Sequence, residues 1–335
     1  MYKKAKQLLQ KEKFDFIYIP IPSFYCALLG RLLYRKTKVK YGIDYIDPWV
    51  HNFPGSEEIF SRHWFSTKLA KFLEPIAIKN ASLITGVAEG YYQPVLERNP
   101  YLKNIVTGAM PYGGEEKDHD IIASLNIKPY LFEKKENKFQ LVYAGAMLPK
   151  AYKPLEKIFE SIAYNKSIFE NIAFHFIGTG KSANDAGSFN IKPLAIKYGL
   201  WQTIVFEYPA RIPYLDVLVH INIADAVFVL GSTEKHYTPS KIYQAILSKK
   251  PLLAILHNQS SAASVVEKSN AGKLLVFEGE NDLNTISKNF ISIWNNFIIY
   301  ANTYNPSNVN TNEFENYSAK SVTMHLVNLL NMVIQ

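Results

Sequence analysis

Short, mostly apolar runs, each followed by a stretch of helical period, recur along this sequence. FIYIP (16–20), 38–43, SLITGV (82–87) and 104–107 come first; FQLVYA (139–144), IAFHFI (172–177), 203–207, ADAVFVL (224–230), LLAIL (252–256) and 273–277 follow. A strand with one wet face alternates polar and apolar residues. Most of these runs do not, so both faces of their sheets are expected to be covered. Strands of this kind alternating with helices describe parallel sheets between helical layers, an α/β fold. Helices are expected over 2–12, 24–34, 57–79, 89–98, 154–164, 192–198, 214–222, 239–248, 262–268, 282–296 and 318–333.

The alternation breaks once. Residues 110–138 carry Pro111, Gly113, Gly114 and charged runs over 115–120 and 133–138, with little periodicity. A chain of 335 residues, 48% of them hydrophobic, can fill two cores. The break is therefore expected to separate two domains, 1–113 and 139–300, joined by a linker over 114–138. Residues 301–335 are expected to form a polar loop and a closing helix that packs back toward the first domain.

Composition narrows the partners. A single cysteine, Cys26, excludes an intramolecular disulfide, and the eight histidines show no metal-ligand spacing, so no metal is expected. Lys and Arg exceed Asp and Glu by 37 to 29, a net +8 that favours anionic partners. There is no arginine-rich tract or aromatic ladder, which argues against nucleic acid. The apolar stretch 14–34 is broken by Asp15, Pro20, Pro22 and Arg31, short of the ~20 apolar residues a membrane span needs. With no signal peptide either, a cytoplasmic protein is expected.

Residues 231–251, GSTEKHYTPSKIYQAILSKKP, concentrate the local signals. Thr238 is placed to cap a helix and Pro239 to occupy its first position. Lys241 then falls in the first turn, facing the positive end of the helix dipole. Either it reaches into water or an anion offsets it. Other flexible or basic residues follow strands: Gly145 with Lys150 and Lys153, then Gly178-Thr179-Gly180, Arg211, and Gly231-Ser232. Each is commonplace alone. Together they line one sheet edge with turns and positive charge, which suits a diphosphate.

The segments YAGAMLPKAYKPL (143–155), FIGTG (176–180), ARIPYLDVL (210–218), ADAVFVLGS (224–232) and TPSKIYQAILSKKPLLAI (238–255) resemble the second domain of GT-B nucleotide-sugar glycosyltransferases, in particular the retaining group 1, or family 4-like, enzymes. The resemblance extends upstream through GIDYIDPW (42–49), LEPIAIKNASLITGVAEGYY (73–92) and MPYGG (110–114). It implies two Rossmann-like domains in GT-B architecture. It also implies a donor diphosphate held by Lys241, Arg211, Lys150, Lys153, Gly145 and Ser240, and a donor sugar and ribose held by Gln244, Glu234, His236, Gly178 and Gly180. Asp47 and Asp44 become the catalytic or acceptor-contacting candidates. The implied partners are a nucleoside diphosphate sugar, which is a substrate and leaves no separate cofactor, and a glycan or lipid-linked acceptor. Loose contact with the inner face of the cytoplasmic membrane is also expected.

Two departures accompany the resemblance. Retaining relatives carry two glutamates eight residues apart where this sequence has His236 and Gln244. Gln244 keeps a hydrogen bond without the strength a charge lends it, and Glu234 is a loop carboxylate able to substitute. Relatives also open with a strand, a glycine-rich loop and a helix, whereas this sequence begins in a later helix. The first domain is thus expected to be partial, as a fragment or a shortened member. A competing reading of Asp47-Pro48 is a turn with Trp49 in the core, and of His51 a surface residue. The expected reaction is glycosyl transfer to a hydroxyl of a surface glycan or lipid-linked oligosaccharide. A silent nucleotide-sugar-binding or scaffold protein and a GT-B epimerase are the alternatives.

Overall fold

A computed structural model describes residues 1–22, 24–51, 56–180, 185 and 187–334. The chain divides into two compact units, Met1–Tyr112 together with residues from Lys320 onward, and Gly113–Ala319.

The first unit runs α1 (Tyr2–Lys11), β1 (Phe16–Pro20), α2 (Ala27–Thr37), β2 (Lys40–Tyr45), α3 (Arg62–Ile78), β3 (Leu83–Gly86), α4 (Glu89–Arg98) and β4 (Val106–Ala109). Its strands pair in parallel in the order β1-β2-β3-β4. Ile43, Tyr45, Ile84 and Val95 lie in the main core of this unit, as does Trp49, which stacks on Phe24 with ring centroids 6.0 Å apart. One carboxylate is buried there. Glu74 of α3 is 1% exposed and receives both Nε and Nη2 of Arg98 at 2.8–3.0 Å. Leaving either charge without the other would be costly, so the pair fixes α3 against α4.

The second unit contains α5 (Lys117–Asp120), β5 (Phe139–Ala144), α6 (Tyr152–Tyr164), β6 (Ile172–Ile177), α7 (Lys192–Lys197), β7 (Val205–Tyr208), α8 (Tyr214–Ile223), β8 (Ala226–Leu230), α9 (Lys241–Leu247), β9 (Leu252–His257), α10 (Ser261–Ser269), β10 (Gly272–Phe277), α11 (Leu283–Asn302) and α12 (Thr311–Glu315). Its six-stranded parallel sheet has the order β10-β9-β8-β5-β6-β7. Successive residues of β5 serve opposite cores: Leu141 and Tyr143 pack with Phe174, Phe176 and Trp294, while Val142 packs with Val227 and Ile242. After β7 the chain returns to the far side of β5, so the order reverses between β5 and β8. At such a switch point the flanking loops diverge and leave a crevice beyond the carboxyl ends of the strands. A last helix, α13 (Ala319–Ile334), puts Leu329 and Val333 against Leu83 of the first unit, and Lys40 donates its ammonium to the Val333 carbonyl at 2.6 Å.

Four sequence expectations need correction. Residues 114–138 are not a bare linker: α5 lies there, and Ile122 and Phe132 enter the core of the second unit. The polar loop near 302–312 gives way to α12, because Asn310 accepts a hydrogen bond from the Glu313 N–H and Phe314 finds a buried site. Helix α11 continues to Asn302, since the stripe Ile286, Phe290, Trp294, Phe297 carries its buried face past the expected end. Helix α9 starts at Lys241, not Pro239. The Thr238 hydroxyl meets Ser261 at 2.6 Å instead of capping α9, and Ser240 makes no side-chain cap in its place.

Candidate functional site

Three turns beyond the carboxyl ends of β5, β6 and β7 are tied together. Gly145, after β5, has φ +116° and donates its N–H to Ile177 at 2.8 Å. Gly178, after β6, has φ +72° and donates to Tyr208 at 2.8 Å. Side chains disfavour this half of backbone space, which is why glycine follows both strands. A Cβ at Gly178 would lie 3.9 Å from both the Gly145 Cα and the Arg211 Cα, so Gly145, Gly178 and Arg211 converge.

Lys241, the first residue of α9, reaches into this group. Its Nζ lies 3.6 Å from the centroid of the Tyr143 ring and 3.4 Å from where a Cβ on Gly145 would stand. The ring is held in place because the Tyr143 hydroxyl donates to the Ala146 carbonyl at 3.1 Å. The Lys241 Nζ is buried and has no hydrogen-bond partner among the described residues. Burial pushes its pKa down from 10.5 to about 7. A desolvated cation over an aromatic face gains about 2 kcal/mol, less than the several kcal/mol that stripping an ammonium of water costs. An anion at this position would satisfy its N–H donors.

Glu207 of β7 fixes the turn after β6. Its buried carboxylate accepts the Thr179 hydroxyl at 2.5 Å and the N–H groups of Asn190, Ile191 and Lys192 at 2.8–3.0 Å. Gly180 donates its N–H to the Pro209 carbonyl at 2.9 Å.

Of the remaining candidates of this unit, Glu234 and His236 come together, with ligand-capable atoms within 4.8 Å of one another, and most of the rest scatter. Lys150 pairs with Glu234 at 3.3 Å, joining a diphosphate candidate to a sugar candidate. Lys153 is exposed and pairs with Glu280, beyond β10. Gln244 accepts a 2.8 Å hydrogen bond from His119, whose pKa burial pushes down, so the imidazole is neutral at pH 7 and donates through Nε2. His236 is half-buried in the loop before α9, and Ser240 is exposed.

In the first unit, Asp44 of β2 accepts the Thr85 hydroxyl at 2.8 Å, and Tyr18 meets Thr85 at 2.8 Å. Burial raises the Asp44 pKa although these hydroxyls oppose the shift. Asp47 lies just past the strand and is exposed. Burial, aided by the charges of Asp47 and Asp44, pushes the Tyr112 hydroxyl up to about 12.

No protein-family model and no curated protein matches the sequence. Solved structures match along nearly all of it. UDP-forming α,α-trehalose-phosphate synthase from Burkholderia xenovorans superposes with a TM-score of 0.70 at 12% identity, over 100% of this chain and 79% of its own. Sucrose-phosphate synthase from Thermosynechococcus elongatus gives 0.64 at 14%, over 99% and 76%. HepE of Anabaena, solved with UDP-glucose, gives 0.68 at 15%, over 99% and 82%. The chain has the GT-B glycosyltransferase fold. In GT-B terms the six-stranded sheet is the second Rossmann-like domain, and Lys241, Gly145, Gly178 and Arg211 stand at its switch point.

Sequence reasoning missed Tyr143, His119 and Glu207. The first was legible as the last large residue of an apolar run before a glycine. The others had no local signal, since their partners lie far along the chain, 125 residues away for His119.

Proposed function

We propose that this protein transfers a glycosyl group from a nucleoside diphosphate sugar to a hydroxyl of a surface glycan or lipid-linked oligosaccharide. The observation that carries the reading is the buried ammonium of Lys241 at the switch point of the second sheet, lodged between Tyr143 and Gly145. The complexes of HepE with UDP and with UDP-glucose support the choice of donor class. In this reading the diphosphate lies against Lys241 and Arg211, with the Gly145 and Gly178 turns allowing its close approach. Lys150 and Ser240 flank it, and Lys153 belongs to the outer rim. Gln244, Glu234, His236 and Gly180 serve the ribose and sugar.

Departure of a sugar from a diphosphate builds negative charge on the leaving group. Cations held in a water-poor setting stabilise that charge more than solvated ones do. In the same reading Asp47, which is exposed, and Asp44, which accepts the Thr85 hydroxyl, are the acceptor-contacting or catalytic candidates of the first unit. The nucleotide sugar is the substrate and no further cofactor is invoked. The protein works in the cytoplasm, in loose contact with the inner membrane face.

The second reading is a nucleotide-sugar-binding protein without turnover, favoured by His236 and Gln244 standing where retaining relatives carry glutamates. Incubation with a panel of nucleotide sugars, with and without glycan and lipid-linked acceptors, tests both. Acceptor-dependent release of nucleoside diphosphate supports transfer, and binding without turnover supports the second reading. Formation of an epimer of the donor replaces both with an epimerase, and failure of every nucleotide sugar to bind removes all three.

A further inference from the structure

Helix α3 is apolar on two opposite faces. Thr67, Ala70, Ala77 and Ile78 form its buried side together with Glu74. Phe65, Leu69 and Phe72, spaced by four and three residues, remain 54%, 43% and 67% exposed. At about 100° per residue these three fall within roughly 60° of one another and face away from the buried side. The residues leading into the helix continue the surface: Ile59 is 69% and Phe60 76% exposed. Phe60 has a left-handed backbone (φ 68°), a costly conformation for a bulky residue, and its ring clusters with those of Trp64 and Phe65 at 5.8 and 6.2 Å. Concentrated exposed apolar surface of this kind marks a contact site.

Charge and shape together select the occupant. The exposed side of α3 itself carries Arg62, Lys68 and Lys71, three cations against the exposed Glu57 and Glu58 before the helix, while the helix's one carboxylate, Glu74, is buried on Arg98. On a helical projection Arg62 flanks the apolar stripe on one side and Lys68 with Lys71 on the other. Lys68 also lies 5.4 Å from the Trp64 ring centroid. A convex helix with an aromatic crest between cations suits a lipid surface: the rings enter the headgroup layer and the cations reach phosphates beside them. No helix among the described residues is long and apolar enough to cross a membrane, and an exposed helix face of this kind makes its contact in the plane of the interface.

We propose that α3 and the residues leading into it form the anchor by which this protein lies on an anionic phospholipid bilayer, with Phe60, Phe65, Leu69 and Phe72 inserted and Arg62, Lys68 and Lys71 on the headgroups. This deepens, and rests on, the membrane contact included in the proposed function. It does not depend on the donor chemistry.

The full chain is tested by co-sedimentation with phosphatidylglycerol–phosphatidylcholine vesicles and with phosphatidylcholine vesicles alone. Binding to the anionic vesicles is expected to be at least about tenfold tighter and to weaken in about 0.5 M salt. The F65S/L69S/F72S variant is expected to lose roughly tenfold or more of that binding, with unchanged circular dichroism and unchanged affinity for the nucleotide sugar. In the wild type, lipids brominated on their acyl chains are expected to quench tryptophan emission, and W64F to lose that quenching. Wild-type binding of the triple variant, or no quenching from Trp64, overturns the assignment to α3. A concentration-dependent dimer abolished by the triple substitution, without vesicle binding, gives the face to a second copy. Failure of the wild type to bind any vesicle removes membrane contact altogether, while nucleotide-sugar binding in the same preparation leaves the donor site standing.

Discussion

Lys241 holds its ammonium 3.6 Å from the centroid of the Tyr143 ring, and each residue determines what the other can do. The ring closes one side of the lysine to water and provides a π face but no acceptor. The lysine therefore carries a proton only weakly, with a pKa of about 7.

This gives a pH dependence with a defined sign. Between about 7 and 10.5 the unfolded chain binds a proton that the folded chain does not. The cost of burying Lys241 is thus fully present below pH 7 and shrinks as pH rises to 10.5. A bound diphosphate favours the charged form, so donor binding above pH 7 takes up a proton and its Kd should weaken by up to about tenfold per pH unit. Calorimetry in buffers of different ionisation enthalpy reads the proton directly. Lys241→Met should abolish this uptake, weaken donor binding and leave the free protein at least as stable at pH 7. Donor affinity that is flat across pH and unchanged in this variant would remove Lys241 from the site.

Gly145→Ala places a Cβ at φ +116° and 3.4 Å from the Lys241 Nζ. We expect a loss of about 1–3 kcal/mol in urea denaturation, together with weaker donor binding because the lysine must shift. Loss of binding at full stability would point to steric exclusion of the ligand alone.

Gln244→Glu restores a carboxylate where the retaining relatives have one. His119, whose pKa burial now depresses, would face an anion at the present 2.8 Å hydrogen bond. Its pKa, followed by the imidazole resonances in NMR, should rise above its present value. An unchanged value would mean that the two side chains do not meet in solution.

Arg98→Met leaves Glu74 buried without its cation, at an expected cost of about 3–5 kcal/mol near neutral pH. Burial already raises the Glu74 pKa against the opposing pull of Arg98. Without Arg98 it rises further, so at lower pH the folded variant binds a proton more readily than its unfolded chain. The defect relative to wild type should shrink as pH falls from 7 toward 5, as measured by thermal unfolding. A constant defect would mean that lost packing, not the stranded charge, dominates.

The parallel sheets were legible because their signal is local. IAFHFI is buried at every position of β6, as an apolar run on both faces demands. The convergence of Gly145, Gly178 and Arg211 followed from the same register, since all three come just after strands, while Lys241 opens the helix that follows β8. What failed was set by distant partners. Ile122 and Phe132 lie in a stretch without clear period between two charged runs, and they are core residues, with Ile127 and Leu131 packed beside them, because the chain around them is anchored elsewhere. The Nε2 of His220, for instance, accepts the N–H groups of Tyr130 and Leu131 at 3.2 and 3.1 Å. Thr238 carries a sound capping signal that loses to a hydroxyl partner on another helix.

The return of α13 to the first unit sets an order of assembly. During synthesis Leu83 emerges early, but the residues that cover it, Leu329 and Val333, emerge only after the whole of Gly113–Ala319. The second unit has all its strands in hand first and is free to complete its core on the ribosome. The first must wait with part of one sheet face wet until α13 has also emerged, and that interval is when the nascent protein is most open to chaperones and to aggregation.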